Sequence, residues 1–228
     1  MRYTKFISVT GVNAGIYSIL YFFNIGFPII GISGAKPISI AEAYAILSGY
    51  LFGWRVGGLS VAIGGFIVSY IQLSPPFYIL NFVPATTSAI YMGLIREKRV
   101  EPIYLYLILI TAYLLYPKVG VIWLYPLNIW FHILIYLTFL TVYLSEKKDK
   151  ISKYVYILVS TLSAQLIGSI LFMIIYQSSL TIDTFRGIWA VTTVLYPIER
   201  IVIAGVAYIL VTVISGRIEK YINMELTK

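Results

Sequence analysis

The sequence predicts an all-α protein, a polytopic transmembrane helix bundle of about eight helices that forms a single integral membrane domain over 1–228. Three observations carry this prediction. Of the 228 residues, 60% are hydrophobic and only 11% are charged, whereas a soluble domain carries roughly a quarter charged residues. A mean hydropathy of +0.88 points the same way. The apolar residues fall in blocks close to the ~20 residues that cross a bilayer as a helix. The basic residues gather in alternate connections between those blocks, the pattern of loops retained on the cytoplasmic side.

Taken in order, the spans are 6–31, 38–53, 55–73, 81–96, 102–117, 119–144, 154–178 and 187–215. The leading MRYTKFISVTGVNAG runs into an apolar block without a small-residue cleavage site, so it reads as a retained first helix and not a signal peptide. The second and fourth spans are short. Gly53-Trp54 separates the second from the third, and one long helix over 38–71 is the competing reading. With the N-terminus placed in the cytoplasm, eight spans return the C-terminus to the same side. Thirteen basic residues then lie inside, among them Arg55, Arg96, Lys98, Arg99, Lys150, Lys153 and Arg217. Only three, Lys36, Lys118 and Arg186, lie outside, and Arg200 is left within a helix. The expected location is therefore the cell membrane, multi-pass, with both termini cytoplasmic.

The net charge of +8 would hint at nucleic acid in a soluble protein. Here the cations flank apolar blocks, so they set topology and meet lipid headgroups, and no nucleic-acid partner is expected. The absence of Cys excludes disulfides, thiolate metal sites and cysteine nucleophiles. A single His, His132, makes a multi-His metal site implausible. No cofactor or metal is expected. The outer connections GISGAKPIS, QLSPPFYILN and QSSLTIDTFRG are rich in Pro, Gly, Ser and aromatics. They read either as gates over a site or as ordinary helix connections.

Small residues recur every fourth position on several spans. The first carries Gly11 and Gly15, with Ala14 and Ser18 alongside. The second has Ala41, Ala45, Gly49 and Gly53; the fourth has Ala85, Ala89 and Gly93; the seventh has Ser160, Ala164 and Gly168. The third holds Gly57, Gly58, Ala62, Gly64 and Gly65. Such faces let helix backbones approach closely in lipid. They imply a compact bundle, or a docking surface for another membrane subunit where a ridge faces lipid.

Ionisable and amide side chains within hydrocarbon are costly and so become functional candidates. Glu42 lies one turn inside the outer end of the second span. Glu199 and Arg200 lie mid-way along the eighth, just after Tyr196-Pro197. Asn24, Asn81 and Gln165 complete a set near the outer half or the midplane. A carboxylate and amides near one depth suit a small organic ligand whose flat ring stacks on aromatic faces. Tyr78, Trp123, Trp189 and Tyr196 are the candidate faces, the interfacial aromatic belt being the competing role. Arg200 has two readings: a structural polar lock with Glu42 or with neighbouring carbonyls, or a ligand contact. Pro197 should free the carbonyl of residue 193. His132, with Asn128 one turn earlier, reads first as a hydrogen-bonded packing residue. No metalloprotease, serine-hydrolase or phosphate-loop motif is present, and the only Asp residues, Asp149 and Asp183, fall in predicted loops. No enzymatic activity is expected.

One resemblance gathers these features. The stretch from Pro37, P-I-S-I-A-E-A-Y-A-I-L-S-G-Y-L-F-G-W-R-V-G-G-L-S-V-A-I-G-G, passes through an L-x-G-x-x-x-G-like turn at Leu51–Gly57. A Pro-Pro-aromatic loop and F-V-P-A-T-T-S-A-I-Y-M-G, ending at Gly93, follow. With the final L-Y-P-I-E-R-I-V-I-A-G-V-A-Y-I-L, this resembles the substrate-binding S component of energy-coupling-factor vitamin transporters. That family has six helices. The resemblance therefore implies an S-component-like core, 1–98 and 154–215, with an inserted helix pair over 102–144, and offers no counterpart for Asn128 or His132. It implies capture of a vitamin-like ligand from outside and delivery through a transmembrane coupling subunit driven by two ATPases. The candidate pocket residues, chosen by depth and chemistry and not by the resemblance, are Asn24, Glu42, Tyr78, Asn81, Gln165, Trp189, Tyr196 and Glu199. Gly11, Ala14, Gly15 and Ser18 match the family's small-residue docking motif in kind. An ion-coupled secondary transporter, with Glu42, Glu199 and Arg200 as a relay, and a non-transport scaffold subunit remain the alternatives.

Overall fold

The computed structural model describes residues 3–24, 26–27, 38–145 and 149–226, with the backbone alone for 26–27, 38–39 and 218–226. The 28–37 part of the first outer connection, with Lys36, lies outside the described residues, as do 146–148 of the basic loop SEKKDKISK and both chain ends. Among the described residues the chain forms eight α-helices: α1 Tyr3–Phe22, α2 Ile40–Gln72, α3 Val83–Arg96, α4 Glu101–Leu115, α5 Val121–Leu124, α6 Trp130–Leu144, α7 Lys150–Tyr176 and α8 Ile182–Leu226. Two 3-10 turns, Tyr78–Phe82 and Pro126–Ile129, lead into α3 and α6. Five helical stretches, 40–72, 78–96, 126–144, 150–176 and 182–217, are long and apolar enough to cross a membrane. The protein is thus a polytopic membrane helix bundle.

α2 is two helices joined at a fold-back. Gly53 has φ 76° and ψ 174°, a left-handed conformation that side chains resist. The arms lie against each other, since a Cβ on Gly57 would stand 2.5 Å from the Ser48 carbonyl oxygen. The predicted separation at Gly53-Trp54 is therefore observed, and the single long helix is not. α3 seals the fold-back. A Cβ on Gly49 would strike the Ala89 carbonyl, and one on Gly93 would strike the Trp54 backbone. Arg96 Nη1 donates to the Leu51 carbonyl at 2.8 Å, and the Trp54 amide donates to Glu97 Oε1 at 3.4 Å. The α3 terminus thus caps both arms where the helical ladder is interrupted.

Most small-residue ridges face inward. Gly64 on the second arm leaves 2.5 Å between a virtual Cβ and the Ala14 carbonyl oxygen of α1. Ser18 Oγ donates to the carbonyls of Ala14 (2.9 Å) and Gly64 (3.2 Å). Ala14 and Ser18 are therefore committed to packing α1 on α2. Gly11 and Gly15 instead look into open space. A polar chain ties the three segments together. Tyr44 Oη donates to Asn13 Oδ1 (2.6 Å), Asn13 Nδ2 to Ser48 Oγ (2.6 Å), and Ser48 Oγ to the Gly57 carbonyl (3.2 Å).

Three boundaries differ from expectation. The first span ends at Phe22, not 31, because Asn24 turns left-handed at φ 45° and stops the helix. Gly26–Phe27 then pairs antiparallel with Ile38–Ser39, a two-residue ribbon with Gly26 opposite Ser39. The expected helix over 119–144 is broken into α5, a 3-10 turn and α6. Pro126 lacks an N–H and drives Tyr125 to φ −152°, ψ 74°, out of the helical region. α8 begins earlier and extends further than 187–215, tolerating Pro197 inside it.

The packing makes a paired prediction. Gly49→Ala should lower stability by about 1–3 kcal/mol through overpacking against Ala89. Gly15→Ala should leave stability unchanged or raise it by up to ~1 kcal/mol, since alanine is the better helix former. Thermal unfolding of both variants in detergent checks this, and equal losses would contradict the assignment of faces.

Candidate ligand cavity

A cavity of about 530 Å³ opens among the end of α1, both ends of α2, the loop before α3, and the facing sides of α7 and α8. Each element brings polar groups for a local reason. Asn24 stands at the left-handed stop of α1. Gln72 ends the second arm of α2 and donates through Nε2 to the Phe22 carbonyl at 3.0 Å, tying the two helix ends together. Asn81 accepts the Phe77 amide at 3.2 Å and donates to the Ser74 carbonyl, so its amide folds the loop that it also presents to the cavity. That loop contains a cis Pro75-Pro76 bond, and Tyr176 Oη of α7 donates to the Pro76 carbonyl at 3.1 Å. Gln165 Nε2 on α7 lies 3.4 Å from Ser169 Oγ, one turn on.

The charged wall joins α2 to α8. Arg200 Nη1 donates to Glu42 Oε2 at 3.2 Å, and Nη2 lies 3.9 Å from Glu199 Oε2. The Arg200 side chain is 12% exposed, Glu199 17% and Glu42 36%. Arg200 Nε is buried without a hydrogen-bond partner. Two carboxylates therefore meet one guanidinium, and both Glu42 and Arg200 line the cavity. The polar lock between α2 and α8 exists, and it lies in the cavity wall. Its members keep hydrogen-bonding capacity that the lock does not use.

Aromatic faces come from Tyr17, Tyr21, Phe77, Phe172 and Trp189. Tyr17 and Tyr21, one turn apart, stack at 5.7 Å between ring centroids. Trp189 donates through Nε1 to the Val119 carbonyl at 3.1 Å and meets Phe172 edge-on at 6.3 Å. Asn24, Glu42, Asn81, Gln165 and Trp189, five of the eight residues expected in the pocket, thus line one cavity. Glu199 reaches it only through Arg200. Two expectations are corrected. Tyr78 sits at φ 52° at the start of the 3-10 turn, which carries its ring out of the lining to 46% exposure. Tyr196 is 1% exposed, stacks on His132 at 4.9 Å and donates to the Asn128 carbonyl at 2.8 Å, which holds it in the α6–α8 interface. Trp123, 61% exposed, also lies outside the lining.

Tyr17, Tyr21, Gln72 and Phe172 line the cavity without having been singled out. The four-residue spacing of Tyr17 and Tyr21 was their signal; Gln72 was hidden by its place at a helix end.

The 102–144 segment contributes no lining residue, yet it fixes the wall behind it. Asn128 Nδ2 donates to the Trp189 carbonyl (3.0 Å) and to Thr193 Oγ1 (2.9 Å), while Asn128 Oδ1 accepts from Tyr113 Oη (2.7 Å). Tyr106 Oη pairs with His132 Nδ1 at 2.9 Å. The Thr193 carbonyl, which Pro197 deprives of its helical partner, receives Trp130 Nε1 at 3.4 Å. Among the described residues no group of three or more His, Cys, Asp or Glu is placed to hold a metal ion.

Fold and site together define an integral membrane helix bundle with a polar, aromatic-walled cavity at one end. Comparison with known protein families, curated proteins and solved structures gives no match.

The lock is testable by a double-mutant cycle on Glu42→Gln and Arg200→Met. A coupling of about 0.5–3 kcal/mol in unfolding is expected, with each single variant hurting more than additivity allows. Additive losses would show that the pair carries no mutual stabilisation.

Proposed function

We propose that the protein is the membrane-embedded substrate-binding subunit of an energy-coupling-factor-type ATP-driven importer, capturing a vitamin or related micronutrient from outside the cell. The observation that carries this reading is the single cavity gathering Asn24, Glu42, Asn81, Gln165 and Trp189. Its volume of about 530 Å³ lies within the roughly 300–1,000 Å³ of small-molecule sites. Phe77 and Phe172 offer faces and edges to a flat ring, with the buried Trp189 packed behind Phe172. Gln165 and Asn24 read polar edges, and Glu42 favours a cationic or hydrogen-bond-donating group, with Arg200 beside it for an acceptor.

In this reading the cavity end of the bundle, with Asn24 and the 73–82 connection, faces outward. The opposite end, with Arg55, Arg96, Lys98 and Arg99, faces the cytoplasm, as do both termini, in the cell membrane. The chain binds and carries substrate but catalyses no reaction. A transmembrane coupling subunit and its ATPases supply the work. The open faces of Gly11 and Gly15 are where a partner helix would approach most closely. The Glu42–Arg200–Glu199 cluster favours one further reading, a stand-alone ion-coupled transporter in which these charges exchange protons or ions.

Native mass spectrometry of the gently purified protein tests the proposal. A retained vitamin-sized mass is expected, with binding weakened about tenfold or more in Glu42→Gln, the loss of roughly one charge-assisted hydrogen bond. A ligand-free protein that gains no thermal stability from a vitamin panel would overturn it. Uptake into proteoliposomes of the chain alone, driven by a proton gradient, would establish the ion-coupled reading instead.

A further inference from the structure

At the end of the bundle opposite the ligand cavity, a second cavity of about 550 Å³ opens between the last turn of α3, the α3–α4 connection, the end of α6 and the first turn of α7. Among the described residues its charged lining is Arg96, Lys98 and Lys153, with the carboxylate of Asp149. The nearby acids Glu101 and Glu97 are engaged elsewhere. Glu101 pairs with Arg99 at 2.8 Å, and Glu97 accepts the Trp54 amide at the α2 fold-back. Asp149 caps α7, its Oδ1 accepting both the amide and the hydroxyl of Ser152 at 2.7 Å. Among the described residues, none of the three cations lies within ion-pair distance of a carboxylate. Arg96 and Lys153 instead share the ring of Tyr50, at 5.9 and 5.7 Å from its centroid. Three cations gathered in one cavity repel one another and favour an anion among them.

Lys98 adds an independent observation. α3 ends in a Schellman turn, with the Lys98 amide donating to the Ile95 carbonyl (3.0 Å) and the Arg99 amide to the Leu94 carbonyl (3.1 Å). The left-handed position of that turn is normally glycine. Here it is Lys98, at φ 54°. A side chain is disfavoured there, and such a conformation kept at a cavity-lining residue points to a function for the side chain. The rest of the wall includes Met92, Ile95, Val100 and Leu144, and the last two are exposed at the mouth, 58% and 72%. A soluble anion would leave that apolar wall unused, whereas an acyl chain would cover it.

We propose that this cavity binds a phosphate group, delivered by the headgroup of an anionic phospholipid whose acyl chain lies along Val100 and Leu144. The site is independent of the ligand cavity and of any transport role.

The test measures thermal unfolding and native mass spectra of the delipidated full chain with phosphatidylglycerol, phosphatidylcholine or inorganic phosphate. Phosphatidylglycerol should be retained and should raise the melting temperature, and phosphatidylcholine should do neither. Lys98→Gly and Lys153→Gln should each weaken phosphatidylglycerol binding by about fivefold, the effect of one basic residue near an anionic surface. Lys98→Gly should meanwhile preserve or raise the lipid-free melting temperature, because glycine relieves the left-handed turn. That opposition separates a binding role from a structural one. Stabilisation by inorganic phosphate, lost in both variants, would support the phosphate site with a soluble source. Equal retention of both lipids without any effect of phosphate, or phosphatidylglycerol binding unchanged in both variants, would overturn the proposal.

Discussion

The bundle depends on the direct contact of the α2 fold-back with the backbone of α3. Gly49 and Gly93 leave no room for a side chain at this crossing, so main chain packs on main chain. In lipid, where apolar burial gives little preference for helix over acyl chain, such close packing and interhelical hydrogen bonds are the main sources of association. The fold-back also fixes direction. It returns the second arm of α2 to the end from which the first began, so Glu42 and Gln72, thirty residues apart in sequence, line one cavity. The Tyr44–Asn13–Ser48–Gly57 hydrogen-bond chain then holds α1 against both arms. Each such bond contributes only about 0.6 kcal/mol on average in a membrane. Together they make α1, α2 and α3 a unit on which α7 and α8 close.

Much of this was legible because the bilayer imposes strong rules. Apolar block length gave the helices, and the Gly53 turn was readable from the L-x-G-x-x-x-G-like stretch at Leu51–Gly57, where glycine is the residue that most readily takes a positive φ. Depth along each span selected Glu42, Gln165 and Trp189, since helices of one bundle share a common axis direction. Depth does not say where a side chain points. Tyr196 sits at the depth of the cavity but faces His132, and Tyr78 is turned away by a backbone conformation that no local motif announces. The split of the α1 ridge is the same problem in a simpler form. Ala14 and Gly15 are neighbours in sequence, yet their side-chain directions differ by about 100°, and only the position of Gly64 shows which of them faces α2.

The break before α6 was legible in principle. Pro126 follows a residue that it excludes from the helical region, and its signal was outweighed by an apolar run continuous across it. Lipid-exposed backbone cannot be left without partners, so such an irregularity has to be satisfied within the protein. Here it is. The Asn128 carbonyl, in the 3-10 turn after Pro126, takes the Tyr196 hydroxyl, while the Asn128 side chain reaches the Trp189 carbonyl and Thr193.

This exchange assigns a physical role to the 102–144 segment. α8 carries a proline, and its freed carbonyl at Thr193 lies between Trp189 and Arg200, two of the four α8 residues that line the cavity. An unsupported helix could bend at that point. The segment meets α8 with Trp130 on the freed carbonyl, Asn128 on the preceding turn, and Val119 on the Trp189 indole. Its contribution is therefore orientation without contact: none of its residues line the cavity, but the groups that do on α8 are held from behind by its hydrogen bonds. A pair of helices that merely filled space would have no need of a buried amide and imidazole, whose burial is costly unless each is paired. The pairing of Asn128 and His132 with tyrosines on α4 and α8 makes the segment a brace for the α8 wall of the cavity.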